Sequence, residues 1–258
     1  MGFAVVASLA LAACGPRHGQ GAGGGTIGPK TYLPPPSVTA ASAAGAGVTL
    51  TGKATAGLRV RLGTPDGVAV FAPTDSHGVW RLSLAASPAV RLFGLSMADA
   101  AGARTVQAEG YLAVTPQGRV AQLRSGSGAL DISPRPAPLA ILAVDYDRKG
   151  GSVVSGEASP ASSVTIRVDG VQRGQANADA NGRFSIGLSD ALAPGEHEVE
   201  AADGELRVLT VATMTPAPIL TQGPFRAERS ASGWRIDWMT PGGGVQTTLL
   251  IDSLEPAA

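Results

Sequence analysis

The sequence predicts an all-β protein made of two β-sandwich units in tandem. Three observations predict it. A ten-residue turn-and-strand pattern occurs twice, the likeness between its two surroundings extends well beyond it, and no segment after the N-terminus keeps a helical period.

The first copy is Asp75-Ser76-His77-Gly78-Val79-Trp80-Arg81-Leu82-Ser83-Leu84. The second is Asp179-Ala180-Asn181-Gly182-Arg183-Phe184-Ser185-Ile186-Gly187-Leu188. In each, an Asp side chain suits a bond to backbone two residues on, and a Gly takes the positive φ that a tight loop needs. The strand that follows alternates. Trp80, Leu82 and Leu84 share one face, as do Phe184, Ile186 and Leu188, which gives one core face and one wet face. At the same offset Gly52 matches Gly156, Ala54 matches Ala158, and Val60 and Leu62 match Val164 and Ile166. Downstream, Phe93, Leu95 and Met97 match His197, Val199 and Ala201. The register slips by one around Asp66-Gly67 and Asp169-Gly170, a second turn signal. Six short strands therefore recur in each unit.

The order G-x-A, V-x-V, D-G, D-x-x-G-x-[WF]-x-[LI] resembles the bacterial immunoglobulin-like domains of surface proteins and adhesins. The likeness covers residues 47–109 and 150–213. It implies two Ig-like sandwiches in tandem, each used as a spacer or a binding platform. No disulfide or tyrosine corner accompanies it.

Length fits the count, since 258 residues hold two domains of about 100 residues each. The 20 basic and 20 acidic side chains cancel, which leaves no electrostatic footprint for nucleic acid or an anionic membrane surface. Charged residues make up only 16% of the chain, and glycine is abundant at 35.

Residues 1–13 read as a secretory signal, apolar but too short to span a bilayer. They end in Leu11-Ala12-Ala13-Cys14, which resembles the lipobox of bacterial lipoproteins. The resemblance implies cleavage before Cys14, lipidation of its thiol and a palmitate-type anchor. Gly15 in place of Asp favours the outer membrane over inner-membrane retention. Met1-Gly2-Phe3 departs from the pattern by lacking a basic n-region, so either the start lies upstream or the signal is weak. Cys14 is the one cysteine of the chain, so the fold must stand without disulfides.

Residues 14–46 read as a lipidated, flexible and disordered tether, Gly-rich at first and then stiffened by Pro34-Pro35-Pro36. Its reach is roughly 30 Å. Residues 47–132 are Ig-like unit one, which continues past the sandwich into an appended hairpin, Tyr111 to Thr115 and Arg119 to Leu123. Residues 133–138 form a Pro-rich linker, expected to be semi-rigid and to set a spacing. Residues 139–215 are Ig-like unit two, and 216–258 a C-terminal β-hairpin extension around Trp234-Arg235-Ile236-Asp237-Trp238. Tyr111 answers Phe225 and Val120 answers Trp234, so the repeated element reads as a sandwich plus a hairpin.

Candidate sites are few. Asp75 and Asp179 are either structural turn carboxylates or Ca²⁺ ligands, although each stands without an acidic companion. His18, His77 and His197 are too scattered for zinc. His197 reads as a core-edge side chain with a satisfied ring. Asp145 and Asp147 share a strand face, the pattern of paired acid/base carboxylates, but Arg148-Lys149-Gly150 follows and points to a solvated edge. Trp234 and Trp238 share a face with Ile236, which reads as core, the alternative being a platform for sugar rings or peptide.

No residue set supports catalysis, metal binding or a cofactor. The expectation is a non-catalytic envelope lipoprotein, bound to the membrane by its N-terminal lipid and facing the periplasm or surface. Its partner is an envelope protein, or a glycan such as peptidoglycan if Trp234 and Trp238 are exposed, and not nucleic acid.

Overall fold

The computed structural model describes residues 32–44, 47–98, 104–133 and 137–252, and every regular element among them is a β-strand. Unit one begins with β1 (Ser37–Ala44), β2 (Gly47–Lys53), β3 (Arg59–Gly63), β4 (Ala69–Pro73), β5 (Val79–Leu84), β6 (Arg91–Ala98) and β7 (Thr105–Gln107). It continues with β8 (Tyr111–Val114), β9 (Val120–Leu123) and β10 (Leu130–Asp131). Unit two repeats the series as β11 (Ala140–Asp147), β12 (Ser152–Glu157), β13 (Ser163–Val168), β14 (Val171–Asn177), β15 (Arg183–Gly187), β16 (Gly195–Asp203) and β17 (Leu206–Met214). It ends in β18 (Phe225–Ser230), β19 (Gly233–Met239) and β20 (Val245–Ile251). Leu33–Ala258 forms one compact body.

Each sandwich has seven strands rather than six. In unit one β1-β2-β5 faces β4-β3-β6, with β7 on β6. In unit two β11-β12-β15 faces β14-β13-β16-β17. Aromatic and aliphatic side chains of the alternating strands meet between the sheets. Leu50, Val60, Leu62 and Trp80 fill unit one, while Val154, Val164, Ile166 and Phe184 fill unit two. Trp80 and Phe184 are buried, as the alternation requires.

The duplicated motif is a local machine with a long-range partner. Asp75 Oδ1 accepts the backbone N–H of His77 and Val79, each at 2.8 Å, and Asp179 Oδ1 does the same for Asn181 at 2.8 Å and Arg183 at 2.9 Å. Gly78 and Gly182 sit at φ of 73° and 77° and close the turns. The matched glycines one strand away have a different purpose. A Cβ on Gly52 would lie 2.4 Å from the Trp80 ring, and one on Gly156 would lie 2.5 Å from the Phe184 ring. The aromatic of the motif lies on the bare backbone of its neighbour, so glycine and aromatic are one packing unit.

The register slip has a structural cause. Asp169 and Gly170 form a two-residue turn with φ of 52° and 77°, the type I′ pattern, whereas residues 64–68 make a five-residue connection in unit one.

Three features differ from the sequence reading. The span assigned to the tether already contains β1, which pairs with β2 from Ser37 to Ala44 and buries Ala41. An Ala/Ser run carries no hydrophobic alternation, yet its backbone groups are satisfied by the ladder, and pairing overrides the weak propensity. The C-terminal extension is not a separate hairpin, because its last strand, β20, inserts beside β11 in unit two's own sheet. In unit one the extension grows from the other sheet, through β8 on β6.

The third difference concerns the linker. Residues 134–136 of the expected linker lie outside the described residues, and the two units are in direct contact. Their extensions pack face to face and make a third core. Val90, Leu92, Ala113, Ala121 and Leu123 of unit one meet Ala143, Ile236, Trp238 and Leu250 of unit two. The apolar faces that the two extensions turn toward each other are removed from water by this contact.

Candidate functional site at the junction of the two units

The seam between the extensions carries two buried polar networks that cross from one unit to the other. Arg119, on the turn before β9, is buried. Its Nε donates to Asp131 Oδ2 at 2.8 Å, its Nη1 to Ile251 O at 2.8 Å and its Nη2 to Leu142 O at 2.9 Å. Two of these bonds cross from unit one to unit two. The guanidinium fork reaches carbonyls on both β20 and β11, a geometry that one ammonium cannot reproduce.

Asp145 lies at the centre of a second crossing network. It is fully buried among seam residues, which corrects the solvated edge expected for it. Its Oδ2 accepts the Ala129 N–H at 2.8 Å and its Oδ1 accepts Gln246 Nε2 at 3.0 Å and the Thr248 hydroxyl. The Thr248 hydroxyl in turn accepts Trp238 Nε1 at 3.0 Å. Burial raises the Asp145 pKa, and the bonds from Thr248, Ala129 and Gln246 oppose that rise. Gln246 also accepts the Gly126 N–H at 3.0 Å, so the loop of residues 124–128 lies on unit two. Asp147 does not join Asp145. It accepts the backbone N–H of Lys149 and Gly151 and shapes the turn into β12.

The tryptophans are placed by the same seam. Trp238 is 0% exposed and meets Tyr111 edge-on, with ring centroids 5.7 Å apart and planes at 81°. It has no face to offer a sugar, which removes the paired-tryptophan platform. Trp234 is half-buried, with Nε1 donating to Gln117 Oε1 at 3.1 Å across the seam and Arg229 over its ring. The opposite face of β19 is covered as well. Arg235 and Asp237 form a buried ion pair at 2.9 Å, backed by Thr247 and the Tyr146 ring.

The remaining candidates take structural positions. The Asp75 and Asp179 carboxylates are held below their ordinary range chiefly by the N–H groups of Val79 and Arg183. Each turn thus spends its oxygen on backbone. His197 places Nδ1 2.7 Å from Asp169 Oδ2 and Nε2 2.8 Å from Ala193 O. Both partners are acceptors, so the imidazolium satisfies both, and the bond to Asp169 raises the His197 pKa. Among the described residues no group of three or more His, Cys, Asp or Glu is placed to hold a metal ion. Cys14 and His18 lie outside the described residues.

Sequence reasoning missed Arg119, the 124–128 loop and the burial of Asp145. A short turn such as Pro116-Gln117-Gly118-Arg119 carries no periodicity to reveal what lies across from it.

Unit two reproduces the two-sheet sandwich from β11 to β17. Residues 136–215 match the model of the bacterial Ig domain. The match stops where β17 ends and leaves out the three-strand extension. No curated protein matches the chain. Among solved structures, the central fibronectin-III array of RIM-binding protein is similar over 85% of this chain and 89% of that one, at 10% identity and a TM-score of 0.26. That likeness is too loose to carry an argument. Unit one follows the same strand order and carries the same turn motif, with its extension attached to the other sheet.

Proposed function

We propose that this chain is a non-catalytic spacer and interaction module of a bacterial envelope, held there by lipid on Cys14. One observation carries the structural part of this reading, the third core that joins the two sandwiches. A polypeptide that welds two Ig-like units fixes their separation and presents their loops in a constant geometry. The polar groups best suited to catalysis are engaged in holding the fold, as the bonds of Asp75, Asp145, Asp179 and His197 illustrate.

Unit one also keeps an edge that unit two fills. β11 pairs with β12 on one side and β20 on the other, whereas β1 pairs only with β2 among the described strands. Such an edge suits strand addition by a partner in the periplasm or at the surface.

Two experiments test the reading. A protease site placed within residues 133–138 should be cut without separating the halves on a sizing column, and separation would remove the fixed geometry. Labelling cells with an alkyne palmitate should tag the protein and not a Cys14→Ala variant. A tag that persists on the variant ends the lipid anchor.

A further inference from the structure

Beside the seam, unit one opens into a cleft of about 570 Å³, within the usual ligand range of about 300–1,000 Å³. Its walls are mainly apolar. Val68, Val70, Leu84 and Phe93 come from the mouth of the unit-one sandwich, and Pro224 and Phe225 come from the segment entering β18 of unit two. Val68 is 61% exposed and Val70 37%, so apolar surface faces solvent at the opening. Thr64 and Gln222 contribute neutral polar atoms, and Asp66 is the anion and Arg91 the cation among the lining residues.

Arg91 is short of partners. Its Nη2 donates to Ala85 O at 2.6 Å, and its guanidinium stands 5.5 Å from the centre of the Phe93 ring. Its Nε is buried without any hydrogen-bond partner. Partial burial lowers the Arg91 pKa, the mark of a cation that has lost water and gained no counter-charge.

The duplication places different residues at the matched position in unit two. The residue matched with Phe93 is His197, which ties β16 to the β13–β14 turn through Asp169, and the Asp169 N–H also donates to Glu198 O at 2.9 Å. Phe93 has no atom for such a tie, and residues of the longer 64–68 connection line the cleft together with it. The same place is closed by an ion pair in one unit and lined by apolar side chains in the other.

We propose that this cleft binds an amphipathic monocarboxylate, an aliphatic chain lying against Val70, Phe93 and Phe225 with its carboxylate paired to Arg91. A carboxylate suits a guanidinium through charge-assisted hydrogen bonds. The chain replaces water on Val68 and Val70. Because Phe225 belongs to unit two, the cleft is complete only while the seam holds.

The probe is decanoate, titrated into the full chain by calorimetry below its micellar range. Saturable binding at one site is expected. Arg91→Gln should weaken it about tenfold or more, the loss of one charge-assisted pair. Val70→Trp, which fills the cleft from an exposed position, should abolish it. Decanol and decyltrimethylammonium should bind at least tenfold more weakly than decanoate to the unaltered chain. Circular dichroism melts confirm that each variant is folded, and Val70→Ala, which keeps the opening, serves as a second probe should Val70→Trp unfold. The proposal is overturned if decanoate does not saturate, if decanol matches it, or if a folded Arg91→Gln chain binds as well as the original.

Discussion

Replacing Trp238 by alanine separates a structural seam from a binding platform. The side chain is wholly buried between the two extensions and gives its indole N–H to Thr248. Roughly 200 Å² of ring surface at 25 cal/mol per Å² corresponds to about 5 kcal/mol. Aromatic truncations in packed cores cost about 3–5 kcal/mol, the spread reflecting how far the site relaxes. The expected loss is therefore about 4 kcal/mol, measured by urea unfolding with far-ultraviolet circular dichroism. Trp238→Phe keeps most of the volume and loses the bond to Thr248, so it should cost about 1–2 kcal/mol. The loss should also fall on the junction, so the alanine variant should unfold in two steps where the original unfolds in one. A tryptophan serving as a platform would be exposed, and its removal would leave stability within about 0.5 kcal/mol. A measured loss below 1 kcal/mol refutes the third core as a stabilising element.

Arg119→Met should destabilise by about 3 kcal/mol in the same assay, because two carbonyls and a carboxylate lose a charged donor. Adding Asp131→Leu should recover part of that loss, and a double variant no better than the single one would contradict the pairing. Gly52→Ala and Gly156→Ala should each cost about 2–3 kcal/mol, since a methyl would meet a backbone carbonyl at 2.0 Å as well as the aromatic ring. Gly170→Ala, with nothing within 4 Å, should show only backbone strain and a smaller shift. The His197 pKa is raised above its ordinary 6.5, so its contribution is complete below 6.5 and lost as pH rises through the higher folded value. Stability measured from pH 6 to 9 should decline over that window, and His197→Phe should flatten the decline. The Asp179 pKa is lowered, so the opposite sign holds there. Its contribution exists above the unfolded value and disappears as pH falls through the folded one, which acid titration of Asp179→Ala checks.

The amino-acid sequence by itself determined the two sandwiches. Alternation in Trp80-Leu82-Leu84 and Phe184-Ile186-Leu188 is a local property, because side chains on a strand point to opposite faces whatever lies beyond. The Asp and Gly turns are equally local, since their bonds span two to four residues. The duplication made each unit a check on the other. What the tertiary structure alone decided is which surfaces meet. Periodicity says that Trp234, Ile236 and Trp238 share a face, but it does not say that Leu92 and Leu123 cover it, or that Arg235 and Asp237 are covered too. The burial of Asp145 was hidden because its acceptors are satisfied by Ala129, Gln246 and Thr248, partners 16 to 103 residues away. The strand at β1 was hidden for a related reason. Its Ala and Ser side chains carry almost no hydrophobic signal, and its conformation comes from the ladder with β2. Short-range stereochemistry set the modules, and long-range complementarity joined them.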